Sequence, residues 1–370
     1  MAFTFIHTAD WQIGKSFGAM PPDVAAALAG ARLDAIDRLA ALAGEAGARH
    51  VLVAGDVFDS EALSPKTVQK ALARVGRHRG LTWHMLPGNH DAHRPGGLWE
   101  RLLADAPPAN VRAHLKPAAV EIEPGAWLLP APLTGRAAAL DPTAHYDEAA
   151  TPAGAIRVGL AHGSVQGFGS DGEASVNISP TRAASARLDY LALGDWHGAK
   201  QTGARTWYAG TPEPDRFVGN DPGHALVVRI EAAGGPVAVE KRRIRQFGWL
   251  RRELDIRVAD DLATLDAEIG AAAARPSDVL VQLALRGRVT AAERQAIGRK
   301  LAGLEANLRH LDADLSGLAV SAGGADLAPL GASGELRQVG ERLAALQTPE
   351  ASDALTLLLD LAAEAGSARP

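Results

Sequence analysis

The sequence Pro87-Gly88-Asn89-His90-Asp91 follows an apolar run at residues 81–86 that is typical of a buried strand. It therefore occupies the loop that leaves the C-terminal end of that strand, where open α/β sheets place their ligand sites. Gly88 lets the backbone turn sharply. The three residues after it offer an amide oxygen, an imidazole nitrogen and a carboxylate. The segment is thus either a binding or catalytic loop or a polar turn that contains an incidental histidine.

Four other apolar runs lead into loops of the same kind. Each run is followed by side chains that can bind metals, namely Asp10 and Gln12, Asp56 and Asp59, His162, and Asp195 with His197. A two-metal site needs ligands from several rigid elements at once, and five strand ends that meet in one cleft would supply them. The repetition favours a binding or catalytic role over an incidental turn. Asp59 is expected to stabilise its turn rather than to bind metal.

The ordered set of loops resembles the calcineurin-like metallophosphoesterase superfamily. Within that superfamily it is similar to the SbcD-type DNA repair exonucleases, and the segment Tyr208-Ala209-Gly210-Thr211-Pro212-Glu213-Pro214 is also similar to that group. The resemblance has specific motifs over residues 1–245 and is loose beyond them. It implies a four-layer α/β/β/α sandwich and a dinuclear, metal-dependent phosphoesterase. The expected function is hydrolysis of DNA phosphodiester bonds by a repair exonuclease.

The resemblance implies two metal sites when the family's roles are transferred by motif position. The first site would use Asp10, Gln12, Asp56 and His197, and the second would use Asp56, Asn89, His162 and Asp195. Asp56 would bridge the sites because a carboxylate has two oxygens. Two divalent ions about 3.5–4 Å apart would hold a bridging hydroxide that attacks phosphorus. His90 would protonate the leaving alkoxide, and Asp91 would orient His90.

Two positions depart from the family pattern. The first motif usually reads Asp-x-His and here reads Asp10-Trp11-Gln12; the last usually reads Gly-His-x-His and here reads Gly194-Asp195-Trp196-His197. One interpretation is a degenerate site that has lost its metals. Another is a re-tuned site, in which the positive charge of two divalent cations equals the negative charge of three aspartates and one hydroxide. That balance predicts a preference for Mn²⁺ or Mg²⁺ and a more basic nucleophile. A third is that Gln12 does not coordinate, which would leave one ion loosely held.

The composition restricts the class of protein and of metal site. The chain has 370 residues and no cysteine, so disulfides and thiolate metal sites are excluded. A metal must be held by the oxygen and nitrogen atoms of Asp, His, Asn or Gln side chains. These donors suit Mn best, and they also suit Mg, Fe or Zn. No secretion signal or membrane-spanning segment is recognisable, which predicts a cytoplasmic enzyme.

The net charge of −5 gives no global attraction to nucleic acid. A DNA substrate would therefore need local basic clusters or a partner. Two clusters are present, one formed by Arg74, Arg77 and Arg79, and one by Lys241, Arg242, Arg243, Arg245, Arg251 and Arg252. Each is either a surface that contacts the phosphate backbone or an ordinary solvated face.

The pattern of elements predicts four segments. Residues 1–246 form the catalytic domain, which opens as βαβαβ, and residues 205–210, 224–231 and 236–243 are predicted to be strands of its second sheet. Residues 247–320 form a small α+β capping module, and the Gly-, Ala- and Ser-rich residues 321–334 form a linker. Residues 335–370 form two amphipathic helices. These helices would either dock a partner or pack on their own chain.

Three functions remain open from the sequence. The first is the DNA repair exonuclease, whose family works with a coiled-coil ATPase of the SbcC type and is often dimeric. The second keeps the chemistry but acts on a small phosphodiester or nucleotide, which suits the acidic charge. The third is a non-catalytic subunit with a degenerate metal site that binds DNA or the ATPase.

Overall fold

A computed structural model describes residues 2–167, 176–320, 327, 330, 334–346 and 348–367. The chain forms two compact units, Met1–Gln246 and Phe247–Pro370, and each is described by itself. Most of the predicted linker lies outside the described residues. Within the described residues, no helix combines the length and the hydrophobicity that crossing a membrane requires.

The first unit contains fourteen strands and four α-helices in its described residues. In chain order they are β1 (Phe3–Thr8), α1 (Pro22–Ala46), β2 (His50–Val53), α2 (Pro65–Arg77), β3 (Thr82–Met85), α3 (Leu98–Ala104), β4 (Val111–Ala113), β5 (Val120–Glu123), β6 (Ala126–Ala131), β7 (Ile156–His162), β8 (Ser164–Val165), β9 (Asn177–Ile178), α4 (Arg182–Ser185), β10 (Tyr190–Gly194), β11 (Lys200–Gly203), β12 (Thr206–Tyr208), β13 (His224–Ile230) and β14 (Val237–Arg243).

The first sheet has the order β14-β13-β1-β2-β3-β4. Strands β1 to β4 are parallel and are joined by helical crossovers, as the βαβαβ pattern predicts. Ser64 caps α2 by accepting a hydrogen bond from the Thr67 amide, and Pro65 occupies the first turn, where its missing N–H costs nothing. These two residues fix the N-terminus of α2.

The predicted sheet for two strands was wrong. Strands β13 and β14 were expected in the second sheet, but β13 pairs antiparallel with β1, with Phe5 opposite Val228, and β14 pairs with β13. The physical reason is that β2 covers only one edge of β1. The other edge carries unpaired backbone groups that a later strand must satisfy. Strand periodicity shows which residues are buried but does not show which edge a strand joins.

The second sheet has the order β11-β12-β10-β7-β6-β5, and β5 and β6 form a hairpin with Gly125 in its turn. The two sheets pack face to face through one apolar cluster that includes Phe5 and Leu226 from the first sheet and Leu160 and Ala192 from the second. A separate cluster packs α1 and α2 on the outer face of the first sheet. The predicted α/β fold of the metallophosphoesterase sandwich type is thus confirmed.

The second unit is an α+β module followed by two helices. Its elements are β15 (Gly248–Asp255), α5 (Thr264–Ala272), β16 (Val279–Val289), α6 (Ala291–Asn307), β17 (His310–Val320), α7 (Glu335–Leu346) and α8 (Pro349–Ser367). The three strands are parallel. From α8, Leu355 and Leu359 pack against Val320 of the same unit, whereas Leu357 and Leu361 are exposed. One side of the tail helix therefore packs on its own chain.

Candidate metal centre

The candidate site lies where the C-terminal ends of strands from both sheets meet. Asp10 and Gln12 follow β1, Asp56 follows β2, Asn89 and His90 follow β3, His162 ends β7, and Asp195 and His197 follow β10. Hydrogen bonds join the loops of the two sheets. The Asp195 amide donates to Asp10 Oδ1 over 3.1 Å, and His162 Nδ1 donates to the Ala54 carbonyl oxygen over 2.8 Å.

One half of the site, which we call the His162 side, consists of Asp56, Asn89, His162 and Asp195. His162 Nε2 lies 3.2 Å from Asn89 Oδ1, 3.6 Å from Asp56 Oδ1 and 3.8 Å from Asp195 Oδ1. Because the Ala54 carbonyl accepts the Nδ1 proton, Nε2 is the nitrogen that faces these oxygens and would bind an ion. Asp10 adjoins this set, since ligand atoms of Asp10, Asp56 and His162 lie within 4.8 Å of one another.

The electrostatics of these buried groups fit a cation. Burial lowers the pKa of His162, but Asp56, Asp10 and Asp195 more than offset this and raise that pKa to about 9. Burial raises the pKa of Asp10 to about 7 and also raises the pKa of Asp195. Carboxylates collected in a low-dielectric site favour either a proton or a metal ion. The donor set of oxygens and one imidazole nitrogen suits a divalent ion.

The other half, which we call the His197 side, consists of Gln12, Lys15, His197 and Asp215. Gln12 Nε2 lies 3.3 Å from His197 Nε2, and Gln12 Oε1 lies 3.2 Å from Lys15 Nζ. Asp215 Oδ1 lies 3.3 Å from His197 Nδ1. Burial acts to raise the pKa of Asp215, but hydrogen bonding to His197 and the charges of His197 and nearby arginines hold that pKa well below its usual range.

His90 lies at the rim of the site. Its side chain is 43% exposed, and its Nε2 lies 3.9 Å from Asp56 Oδ2. His90 Nδ1 donates to the Asp59 carbonyl oxygen over 3.0 Å, which leaves Nε2 facing the cavity. The His90 amide donates to Asp56 Oδ1 over 2.9 Å and so helps to fix that carboxylate.

The orienting role predicted for Asp91 was wrong. Its two carboxylate oxygens accept the amides of Gly88, over 2.7 Å, and Phe58, over 3.1 Å. The carbonyl of Asp59 orients the His90 ring instead. Asp91 is fully buried, and burial together with the nearby Asp56 raises its pKa to about 8. Asp91 therefore joins the loops that follow β2 and β3 and supports the site from behind.

Four of the predicted ligands have a left-handed backbone. The φ angles are 52° at Asp10, 44° at Gln12, 50° at Asp56 and 102° at Asp195. This conformation is strained for residues other than glycine, and such strain is concentrated at functional sites. Asp56 is also packed closely, because a Cβ added at Gly88 would lie 2.1 Å from Asp56 Oδ1. The loops hold these side chains in place against their backbone preference.

A cavity of about 400 Å³ opens onto both halves of the site, and Gln12, Lys15, Asp56, Asn89, His90, Asp195, His197, Asp215 and Arg216 line it. Sequence reasoning missed Lys15, Asp215 and Arg216. A signal existed, since Lys15 follows Gln12 by three residues and Asp215-Arg216 directly follow the Tyr208 to Pro214 segment. Spacing alone could not show that these side chains point into the cavity.

The family comparison agrees with this geometry. Residues 3–137 match the family model for calcineurin-like phosphoesterases. Residues 3–137 of this chain are therefore similar to that family. The match includes Asp10, Asp56, Asn89 and His90 but ends before His162. No curated protein matches the chain. The SbcD-type subgroup stays a prediction.

Two solved structures resemble the chain at low identity. The protein TT1561 of Thermus thermophilus is 12% identical, with 65% of this chain and 99% of that chain covered and a TM-score of 0.40. A dimetal phosphatase from Danio rerio is 11% identical, with 65% of this chain and 98% of that chain covered and a TM-score of 0.38.

Proposed function

We propose that the chain is a metal-dependent phosphodiesterase that hydrolyses DNA, with an exonuclease role in repair as its resemblance suggests. The observation that carries the proposal is the convergence of Asp10, Asp56, Asn89, His162 and Asp195 at the strand ends of two sheets. Bound divalent ions would supply Lewis-acid activation of water and of the phosphate oxygens at this site. On the His162 side, all four residues would hold an ion.

His90 would supply the proton that the leaving group needs. Its Nδ1 proton is committed to the Asp59 carbonyl, so Nε2 is the nitrogen that faces the cavity. When the P–O bond to the leaving alkoxide breaks, a proton on Nε2 passes to that oxygen, and His90 is then neutral. Arg216 lines the same cavity and is well placed to contact a phosphate oxygen.

The basic clusters support a DNA substrate less strongly than the candidate metal centre supports metal-dependent hydrolysis. Arg74 forms ion pairs with Asp34 and Asp37, and Lys241 and Arg242 pair with Asp221 and Glu45. In the second unit, Arg252 pairs with Glu268. Phosphate groups would compete with these carboxylates. This pairing favours a second candidate function, hydrolysis of a small phosphodiester or nucleotide that needs only the cavity.

The test compares Mn²⁺-dependent cleavage of labelled linear DNA by the wild type, His90→Ala and His93→Ala. His93 lies on the same loop but outside the cavity lining, so it is the matched control. We expect His90→Ala to cut about 10²–10³-fold more slowly and His93→Ala to match the wild type. Equal rates for His90→Ala and the wild type would remove the acid assignment.

A parallel assay with bis(p-nitrophenyl) phosphate separates the candidate functions. Activity on this ester without activity on DNA would favour the small-substrate function. The third possibility, a non-catalytic subunit with a degenerate site, predicts no bound metal after incubation with Mn²⁺ and gel filtration. The coiled-coil ATPase partner, the homodimer, the capping role of residues 247–320 and the cytoplasmic location stay predictions from the sequence.

A further inference from the structure

Lys15 makes contacts on the His197 side that the proposed hydrolysis does not use. Its Nζ lies 3.2 Å from Gln12 Oε1, 3.3 Å from Asp215 Oδ2 and 3.6 Å from Asp59 Oδ1. The side chain is only 24% exposed, and it lines the same cavity as the predicted ligands. Two carboxylates therefore hold the ammonium group against the amide of Gln12.

The contact between Lys15 Nζ and Gln12 decides which way the Gln12 amide faces. The oxygen and nitrogen of a glutamine amide are nearly equivalent in shape, so their positions follow from the hydrogen-bond network. An ammonium group only donates hydrogen bonds, so the amide atom beside Lys15 must be the oxygen. The amide nitrogen then faces His197 Nε2 at 3.3 Å.

In that orientation, Gln12 and His197 are engaged in hydrogen bonds, so these two predicted ligands of the first ion are not available to bind it. An amide nitrogen has no lone pair for a metal, and its N–H donates to the lone pair of His197 Nε2. His197 cannot bind through its other nitrogen, because Nδ1 lies 3.3 Å from Asp215 Oδ1 and donates to it. The positive charge of Lys15 also disfavours a divalent cation nearby.

The His162 side has no such competition among its four residues. There, oxygens of Asn89, Asp56 and Asp195 lie within 3.8 Å of His162 Nε2. These oxygens and the nitrogen converge on one point, and Nδ1 is held by a backbone carbonyl, so a cation placed there meets four potential ligands. The two halves of the centre therefore differ in how readily they bind a divalent ion.

We propose that Lys15 is a positioning residue that turns the Gln12 amide away from coordination, so that the centre binds one divalent ion tightly on the His162 side and a second ion weakly. The inference rests on the proposed metal-dependent function. It extends that proposal by attributing the unequal affinities of the two ions to one side chain, Lys15. The role of Lys15 is to set the affinity of the second ion.

The experiment is a Mn²⁺ titration of the full chain after removal of metals with a chelator. Free Mn²⁺ is followed by its electron paramagnetic resonance signal, without substrate. The wild type should bind one ion at least about 10-fold more tightly than the second. Lys15→Met keeps the length of the side chain but removes the charge, so Gln12 Oε1 can turn to the ion. The second ion should then bind about 10-fold more tightly.

Two control variants show that the ammonium group is responsible. Lys15→Arg keeps a donor-only cation beside Gln12 Oε1, so the second ion should stay weak. Lys70→Met removes an exposed lysine from α2 and should leave both affinities unchanged. Circular dichroism checks that each variant is folded.

The outcomes separate this inference from the proposed function. Two equally tight ions in the wild type, or a second ion that Lys15→Met leaves unchanged or weakens, would overturn the role of Lys15 while leaving a dinuclear hydrolase possible. A wild type that binds no Mn²⁺ would overturn the proposed function and the inference together.

Discussion

The two halves of the candidate metal centre use similar residue types in opposite ways. On the His162 side, a histidine fixed by a backbone carbonyl turns its free nitrogen toward three oxygens. On the His197 side, the histidine faces an amide nitrogen, and a lysine holds the amide in that orientation. Ligand type and spacing therefore identify a metal centre, whereas the hydrogen-bond network decides which ligands are available to an ion.

Asp56→Ala should cause the largest loss, because Asp56 belongs to both predicted ion sites. Its carboxylate lies 3.6 Å from His162 Nε2 and accepts the His90 amide. Without it, both ions lose a ligand and His90 loses its anchor. Since bound metal contributes several kcal/mol to such reactions, we expect activity to fall about 10⁴-fold. Phosphodiester hydrolysis at saturating Mn²⁺ measures this, with Asp105→Ala as the exposed control. A variant with a tenth of wild-type activity would contradict the bridging role.

Matched substitutions of the two histidines should have unequal effects. His162→Asn should remove the tight ion and slow hydrolysis about 10³-fold. His197→Asn should leave the tight ion in place and slow hydrolysis about 10–100-fold, because its Nε2 is already engaged by Gln12. Metal content per chain and the hydrolysis rate are measured for both variants. If His197→Asn lost more metal and more activity than His162→Asn, the contrast between the two halves would be reversed.

The stability of the metal-free protein should fall as the pH rises. The pKa of His162 is raised from 6.5 to about 9, so the folded chain holds a proton that the unfolded chain releases. The resulting stabilisation is fully present below pH 6.5 and is lost as the pH rises through 9. The raised pKa of Asp10 acts in the same direction between pH 4 and pH 7. The loss from His162 is on the order of 3 kcal/mol.

Thermal unfolding between pH 6.5 and 9 measures this effect, with and without Mn²⁺. The stabilisation by Mn²⁺ should grow with pH, because the ion replaces the proton on His162. In His162→Asn, the pH dependence of the metal-free protein should be smaller. A metal-free wild type that became more stable over this range would rule out the predicted charge balance on the His162 side.

Asp215→Asn should have the smallest effect, because it acts only through the His197 side. Asp215 fixes the tautomer of His197 and also holds Lys15. An asparagine keeps the shape but removes the charge, so we expect the affinity for the weak ion to change by about 10-fold and the tight ion to be unaffected. A Mn²⁺ titration measures both affinities. A change in the tight ion would show that the two halves are coupled.

The sequence predicted the parts of the molecule that depend on local pattern. Apolar runs that end in polar loops located the strands, and the rule that parallel sheets bind at their carboxyl ends brought together Asp56, Asn89, His162 and Asp195. The predicted sheet for β13 and β14 was wrong because every open sheet edge offers similar backbone groups. The sequence of a strand therefore does not show which edge it joins. The role of Asp91 was wrong because nearby amides compete for a buried carboxylate. Lys15 and Asp215 were missed because side-chain direction is set by packing and charge, not by spacing.

The left-handed backbone at Asp10, Gln12, Asp56 and Asp195 limits how this centre can change during evolution. Asn, Asp, His and Gly tolerate that conformation better than other residues, and Val, Ile and Thr tolerate it poorly. Exchanges between carboxylate, amide and imidazole are therefore open at these positions, and they include the histidines that the related motifs carry at 12 and 195. Most other replacements would disrupt the loop before they altered its chemistry. The main-chain conformation thus limits which metal-binding side chains can replace the present ones at these positions.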